Sequence, residues 1–185
     1  MKRQSLLVIS ITFGTFMLSG CAAWDRQHQQ QAIEKPINVP AAVSVGTGQT
    51  LTVVAKATGV QIYTCGVGKN NSAGYAWNFT APEADLFNAD GKMIGKHYGG
   101  PTWEGNDGSK VVGQVKASDK GTDAHAITWL LLNAKSNSGE GMFAKTTIIQ
   151  RLNTSGGNAP VDGCDLAHFG NEARVPYTGQ YYFYN

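Results

Sequence analysis

The side chains best suited to bind a ligand lie close together between residues 97 and 104. His97, Tyr98 and Trp103 place an imidazole, a phenol and an indole around a Gly-Gly-Pro turn, and Glu104 follows directly. Aromatic faces beside hydrogen-bonding groups suit sugars and other amphipathic molecules, because such ligands have an apolar side and polar edges. We therefore predict a ligand-binding site at these four residues. The simpler interpretation is that Tyr98 and Trp103 are core or turn residues and that His97 lies on the surface.

Acidic side chains are frequent at predicted turns, and a pair of them could hydrolyse a glycosidic bond if they lay roughly 5–10 Å apart. A simpler explanation is that Asp favours turns, because its side chain bonds to nearby backbone. Arg151, near the end of a predicted strand, could bind a carboxylate, although an ordinary ion pair would also explain it. The acidic residues concerned are Asp85, Asp90, Glu104, Asp107, Asp119, Asp123 and Asp162.

The sequence predicts no metal site, no nucleotide cofactor and no nucleic-acid partner. Its histidines (His28, His97, His125 and His168) lack the paired spacing of zinc sites. Two Gly-x-Gly sequences, at 46–48 and 66–68, lack the third glycine of a dinucleotide fingerprint. The 15 basic and 13 acidic residues leave a net charge of +2, and the excess lies at positions 2 and 3. Such a chain has no basic patch for DNA or RNA.

The N-terminal segment has the organisation of an export signal. Lys2 and Arg3 precede an uncharged run at 6–17, and Leu-Ser-Gly at 18–20 precedes Cys21. The run is too short for a transmembrane helix, which needs about 20 apolar residues, but it has the size of a secretory h-region. The context of Cys21 resembles the lipobox of bacterial lipoproteins, in which the cysteine is acylated and the preceding residues are removed. An ordinary signal peptide with a chance cysteine is the alternative.

The lipobox resemblance implies a domain organisation and a cellular location. Residues 1–20 are predicted as a lipoprotein signal peptide, 21–42 as a lipidated flexible tether rich in Gln and Pro, and 43–185 as a single β-rich domain. A lipid at Cys21 would hold the protein on a membrane. Ala22 and Ala23, rather than aspartate, follow the cysteine, which implies the bacterial outer membrane, on its periplasmic face or at the cell surface.

The other two cysteines are predicted to form a disulfide. If Cys21 is lipidated, Cys65 and Cys164 remain as a pair in an oxidising compartment. A bond between them would close a loop of about 100 residues, for which chain entropy predicts about 4–5 kcal/mol of stabilisation. Two buried thiols are the alternative, and a nucleophilic cysteine lacks an identifiable histidine partner.

The remainder of the chain is predicted to be all-β, an antiparallel β-barrel or β-sandwich with little helix. Segments 49–55, 60–67, 110–116, 126–132, 143–152 and 177–184 have strand composition. Asp90-Gly91 predicts a hairpin, Asp107-Gly108-Ser109 predicts a turn, and a Gly-rich loop is expected from Asn153 to Gly163. Strands at this spacing favour a barrel or sandwich over βαβ units.

Several motifs, in this order, resemble a known family. The succession resembles an uncharacterised domain of unknown function in exported bacterial and fungal proteins, over roughly residues 40–185. That resemblance implies a small β-rich domain and brings no catalytic residues. The motifs are GVQIYTC at 59–65, WNFTAPEADL at 77–86, HYGGPTW at 97–103, DGS at 107–109, WLLL at 129–132 and YYFY at 181–184.

We therefore expect a lipid-anchored cell-envelope protein that binds a ligand without catalysis. A glycan or an envelope protein is the expected partner, with His97, Tyr98, Trp103 and Glu104 as the contact residues. The alternatives are a glycan-acting envelope hydrolase, which would need converging acids or a nucleophile, and a structural or inhibitor-like module with a protruding loop.

Overall fold

The computed structural model describes residues 33–68 and 74–185, and this part of the chain is all-β. The predicted signal peptide and the predicted acylation site at Cys21 lie outside the described residues. Its eight strands are β1 (Leu51–Val67), β2 (Tyr75–Phe87), β3 (Met93–Tyr98), β4 (Thr102–Gly105), β5 (Lys110–Asp119), β6 (Trp129–Ser138), β7 (Ile148–Gly156) and β8 (Glu172–Tyr184). Helical structure in the described ranges is confined to two 3₁₀ turns, Ala41–Val43 and Leu166–His168. None of the helices described there could span a membrane.

The strands form one antiparallel sheet that closes into a barrel. Each strand pairs with the next in the chain, and β8 pairs with β1 to complete the ring. The predicted all-β antiparallel fold is confirmed, and of the two predicted architectures the chain adopts the closed sheet. Hairpins with short turns are the simplest connections for such an arrangement.

Several strand boundaries differ from the sequence prediction; the strands predicted at 143–152 and 177–184 begin at Ile148 and Glu172. The segments at 49–55 and 60–67 are one continuous strand, β1. The predicted loop at 153–163 begins late, because β7 continues to Gly156 through an irregularity at Asn153, whose φ is 51°. The apolar run at 126–132 enters its strand only at Trp129. For β1 and β7, pairing with neighbouring strands outweighs the local turn signal.

The barrel interior is filled by alternating small and large side chains. Ala55 of β1 lies opposite Tyr181 of β8, and Val53 lies opposite Phe183. Phe143, in the loop between β6 and β7, is fully buried, and its ring centroid lies 4.6 Å from that of Phe183. Phe143 therefore closes the barrel end at which β8 finishes. Alternating sizes let bulky rings share a narrow interior.

A second apolar cluster lies outside the barrel, under the segment that precedes β1. Val43 of this segment is fully buried and packs with outward-facing residues of β6, β7 and β8. Gln150 Nε2 donates to the Val43 carbonyl oxygen at 2.6 Å, and Tyr184 Oη donates to Gln150 Oε1 at 2.7 Å. Val39, within the predicted tether, packs against the same cluster. The tether and its boundary at residue 42 stay predictions, but the described chain already contacts the barrel before that residue.

The disulfide between Cys65 and Cys164 is present in the structure. Their Cα atoms lie 5.4 Å apart, across a sequence separation of 99 residues. Cys65 lies on β1, and Cys164 lies in the long loop between β7 and β8. Tyr63 Oη also donates to the Gly157 carbonyl in this loop at 2.6 Å, and Trp77 Nε1 donates to the Asp162 carbonyl at 2.8 Å. The β7–β8 loop is thus fastened to β1 and β2 at the barrel end opposite Phe143.

Candidate functional site

The hairpin of β3 and β4 divides the four predicted contact residues between two environments. Successive side chains of a strand point to opposite faces of the sheet. His97 and Trp103 lie opposite each other in the register and are almost fully buried inside the barrel. Their rings stack with centroids 4.4 Å apart and planes 7° apart. Tyr98 and Glu104, one residue further along, lie on the outer face.

The outward-facing residues form a hydrogen-bonded surface cluster. Tyr98 Oη donates to Glu104 Oε2 at 2.5 Å, and Lys110 Nζ lies 3.1 Å from the same oxygen. The hydrogen bond from Tyr98, followed by that from Lys110, lowers the pKa of Glu104. The carboxylate is therefore already satisfied by its own neighbours. The structure does not bring Tyr98 and Glu104 together with His97 and Trp103 in one pocket.

A cavity of about 420 Å³ lies inside the barrel beside His97 and Trp103. Its wall is mainly apolar and aromatic, with contributions from strands β1 to β8. Phe79 and Val115 belong to this wall and are 52% and 53% exposed, so the cavity reaches solvent between them. Asn158 of the β7–β8 loop lies at the same side and is exposed. We call the opening formed by Phe79, Val115 and Asn158 the cavity mouth.

Glycines make room for the buried rings around the cavity. A Cβ at Gly113 would lie 2.9 Å from Trp103 Cζ3 and 3.1 Å from Leu132 Cδ2. A Cβ at Gly157, whose φ is 85°, would lie 2.8 Å from the Cβ of Tyr177 and 3.1 Å from Gln61 Cγ. The sequence therefore uses glycine where strand and loop backbone approach the cavity wall most closely.

Two buried polar groups of residues in the cavity wall have no hydrogen-bond partner among the described residues. Gln61 is 2% exposed and Trp103 is 1% exposed, yet neither Gln61 Nε2 nor Trp103 Nε1 has a hydrogen-bond acceptor among the described residues. Arg151 lies in the same wall, and its Nε and Nη2 donate to the Thr128 carbonyl at 3.1 and 2.8 Å. A buried donor without an acceptor is uncommon in folded proteins and calls for an explanation.

His97 is a neutral member of this site. Its Nδ1 lies 2.8 Å from the Thr102 carbonyl oxygen, which can only accept, so the ring proton sits on Nδ1 and Nε2 carries a lone pair. Burial lowers the pKa of His97 from 6.5 to about 3, an effect that the bond to Thr102 only partly offsets. The ring therefore stays uncharged near neutral pH and offers an acceptor rather than a cation.

Tyr63, which lines the cavity, and Tyr177, which lies close to it, are held in their protonated forms. Burial raises the pKa of Tyr63 and, more strongly, that of Tyr177, whose hydroxyl lies 3.5 Å from the Tyr181 hydroxyl. The Gln61 amide lies close enough to Tyr177 to oppose this rise slightly, although Gln61 Nε2 itself makes no hydrogen bond. These phenols can donate or accept hydrogen bonds but do not supply a phenolate.

The remaining residues that could carry chemistry are dispersed. His168 pairs with Asp165 on the surface, with Nδ1 and Oδ1 2.7 Å apart, and His125 lies in an exposed loop. Within the described ranges no group of three or more His, Cys, Asp or Glu side chains could hold a metal ion. None of the described residues that line the cavity is an Asp, Glu, Ser or Cys. The acids predicted at turns do not meet in it.

Gln61 is not predicted from the sequence as a site residue, and Arg151 is predicted only as a residue that could bind a carboxylate. The alternation of Val60, Ile62 and Thr64 marked one face of β1, and Gln61, Tyr63 and Cys65 occupy the other, which points into the barrel. A strand whose two faces are both covered does not reveal which one lines a cavity.

Fold and cavity together define a small antiparallel β-barrel with an internal, largely apolar chamber that reaches solvent at one end. Residues 46–185 match the family described as Protein of unknown function (DUF3455), and the chain belongs to this family. The predicted resemblance to a domain of unknown function is thereby confirmed. Neither the curated proteins nor the solved structures contain a match to this chain.

Proposed function

We propose that this protein is a non-catalytic binding module of the bacterial cell envelope, whose barrel cavity takes a small, largely apolar molecule. The observation that carries the proposal is the chamber of about 420 Å³ beside Trp103, which falls within the usual size range of small-molecule sites, about 300–1,000 Å³. Eight-stranded barrels are wide enough to hold one small ligand.

The character of the cavity supports binding rather than hydrolysis. A glycan-acting hydrolase of the usual kind needs a pair of carboxylates at the scissile bond, and no Asp or Glu belongs to the described cavity wall. His97 lacks a neighbouring carboxylate or nucleophile in that wall and is uncharged at neutral pH. We therefore retain the binding role and assign no catalytic residue.

The proposed location in the cell envelope follows from the N-terminal sequence. Acylation of Cys21 would anchor the protein in the outer membrane through lipid, and the segment after it would connect the barrel to the bilayer. Intact-mass measurement of protein isolated from its host should show cleavage before Cys21 and the mass of the attached acyl chains. An unmodified thiol at Cys21 would refute this part of the proposal.

Binding in the cavity can be tested with N-phenyl-1-naphthylamine, an uncharged fluorescent probe. The full chain with Cys21→Ser, purified without detergent and with its Cys65–Cys164 disulfide formed, should bind about one probe molecule. Val115→Trp adds bulk at the cavity mouth and should weaken binding about tenfold, equivalent to about 1.4 kcal/mol. Circular dichroism establishes that the variant remains folded.

The matched control is Phe169→Ser, which removes an exposed aromatic ring that packs on Tyr75 outside the cavity. This variant should bind the probe as the parent does. If Phe169→Ser abolishes binding while Val115→Trp leaves it unchanged, the probe occupies the outer surface and the proposed function is wrong. Absence of saturable binding of any apolar probe, neutral or anionic, to the parent would also refute it.

A further inference from the structure

Two polar groups of the cavity wall, those of Trp103 and Arg151, cannot accept hydrogen bonds. The indole Nε1 of Trp103 can only donate, and the Arg151 guanidinium can only donate. Trp103 lines the cavity, and its Nε1, which is itself fully buried, has no acceptor among the described residues. Gln61 Nε2 is a second donor without a partner among the described residues, and the Gln61 amide can also turn to present its oxygen.

The positive charge of Arg151 is not neutralised by the protein around it. In the described part of the chain, no Asp or Glu oxygen lies within ion-pair distance of its guanidinium, whose only hydrogen-bond acceptor there is the Thr128 carbonyl. This charge lowers the pKa of Tyr63, His97 and Tyr177, and in each case burial has the larger effect. For the two tyrosines the charge opposes burial, which raises the pKa, whereas for His97 both effects lower it. The electrostatic effect of Arg151 therefore extends across the cavity.

A partly buried cation is costly unless it is paired. Arg174, on the outer surface, shows the usual solution: its guanidinium lies 2.9 Å from Glu83 and 3.3 Å from Glu172. Arg151 has no such partner within the described residues, although it is half-buried in an apolar wall. Unlike Arg174, Arg151 therefore has a charge that is available to pair with an anion supplied by a ligand.

We propose that the ligand of this cavity is an anionic amphiphile, whose carboxylate or sulfonate-like group pairs with Arg151 and whose apolar body lies against Trp103 and Phe79. This inference rests on the proposed function and specifies its ligand class. A neutral glycan fits less well, because it would leave the charge of Arg151 without a counter-ion in this wall.

Two probes that differ by one charged group test the inference. 8-Anilino-1-naphthalenesulfonate has the ring system of N-phenyl-1-naphthylamine plus a sulfonate. The full chain with Cys21→Ser should bind the sulfonate probe at least about fivefold more tightly, since a charge-assisted hydrogen bond is about twice as strong as a neutral one. Arg151→Gln should weaken sulfonate binding about tenfold and change binding of the neutral probe less than about twofold.

Arg174→Gln is the matched control, because it removes the same charge from the outer surface. It should leave both affinities unchanged. If Arg151→Gln impairs folding, Arg151→Lys serves instead: it retains the charge, loses the planar fork, and should bind the sulfonate with intermediate affinity.

The outcomes separate this inference from the proposed function. Saturable cavity binding of the neutral probe with no preference for the sulfonate would overturn the anionic ligand class and leave the binding role intact. Equal loss of both probes in the Arg151 variants would also overturn it, because Arg151 would then act only on the shape of the cavity. If neither probe binds the cavity, the binding role itself fails.

Discussion

Replacing Gln61 by Met should stabilise the empty protein. Gln61 is 2% exposed and its Nε2 has no acceptor among the described residues. A buried polar group without a partner costs about 1–3 kcal/mol, and Met has nearly the same length and fills irregular space well. We expect Gln61→Met to raise the free energy of unfolding by about 1–2 kcal/mol. For a domain of this size that corresponds to about 2–8 °C in Tm.

The measurement is urea unfolding followed by tryptophan fluorescence, together with calorimetry, on the disulfide-bonded protein. Gln114→Met is the matched control, since Gln114 is exposed on β5. An exposed replacement should change stability by less than about 0.5 kcal/mol.

One result would refute the reasoning about Gln61. The amide lies near the Tyr177 hydroxyl, and a small shift would let the two groups bond. In that case Gln61→Met would remove one hydrogen-bond partner of the buried Tyr177 hydroxyl and destabilise the protein by about 1 kcal/mol or more. A destabilised variant therefore means that the amide is satisfied within the protein and is not held free for a ligand.

The remaining predictions concern the loop, a glycine and a histidine. Replacing both Cys65 and Cys164 by Ser should lower the free energy of unfolding by about 2–5 kcal/mol in urea, and equal stability would contradict a structural role for the disulfide. Gly157→Ala should cost about 1–3 kcal/mol more than Gly163→Ala, because both have left-handed φ (85° and 81°) but only the first new Cβ would meet packed atoms. Similar losses would show that the loop yields at residue 157. Burial lowers the pKa of His97 from 6.5 to about 3, so acid favours the unfolded chain, which takes up a proton that the folded chain does not. Between about pH 6.5 and 5, His97→Asn should therefore lose stability less steeply than the parent, by up to about 1.4 kcal/mol per pH unit, and equal slopes in pH-dependent denaturation would contradict a buried neutral ring.

The all-β fold could be predicted from the sequence because its signals are local. The Asp90-Gly91 turn lies between β2 and β3, and the turn at Asp107-Gly108 precedes β5, as expected. Strand composition and turn residues depend on a few neighbours in the chain. Where the prediction was wrong, as in the division of β1 into two segments, cross-strand pairing decided the outcome.

The candidate site could be predicted only in part. The segment containing His97 and Trp103 does line the cavity, yet Tyr98 and Glu104 lie on the opposite face of the sheet. Which face of a short strand turns inward depends on ring closure and on packing against distant strands. Arg151 illustrates the same limit, since its lack of a carboxylate neighbour is a property of the assembled barrel.

The burial of Val43 on the outside of the barrel has a practical consequence for where the domain can be trimmed. A truncation that begins at residue 46, the first position matched by the family, would remove Val39 and Val43 and uncover apolar side chains of Trp129, Leu131 and Tyr182. Uncovered patches of this kind promote self-association. Soluble monomeric material therefore requires the ten or so residues upstream, even though they contribute no strand to the ring.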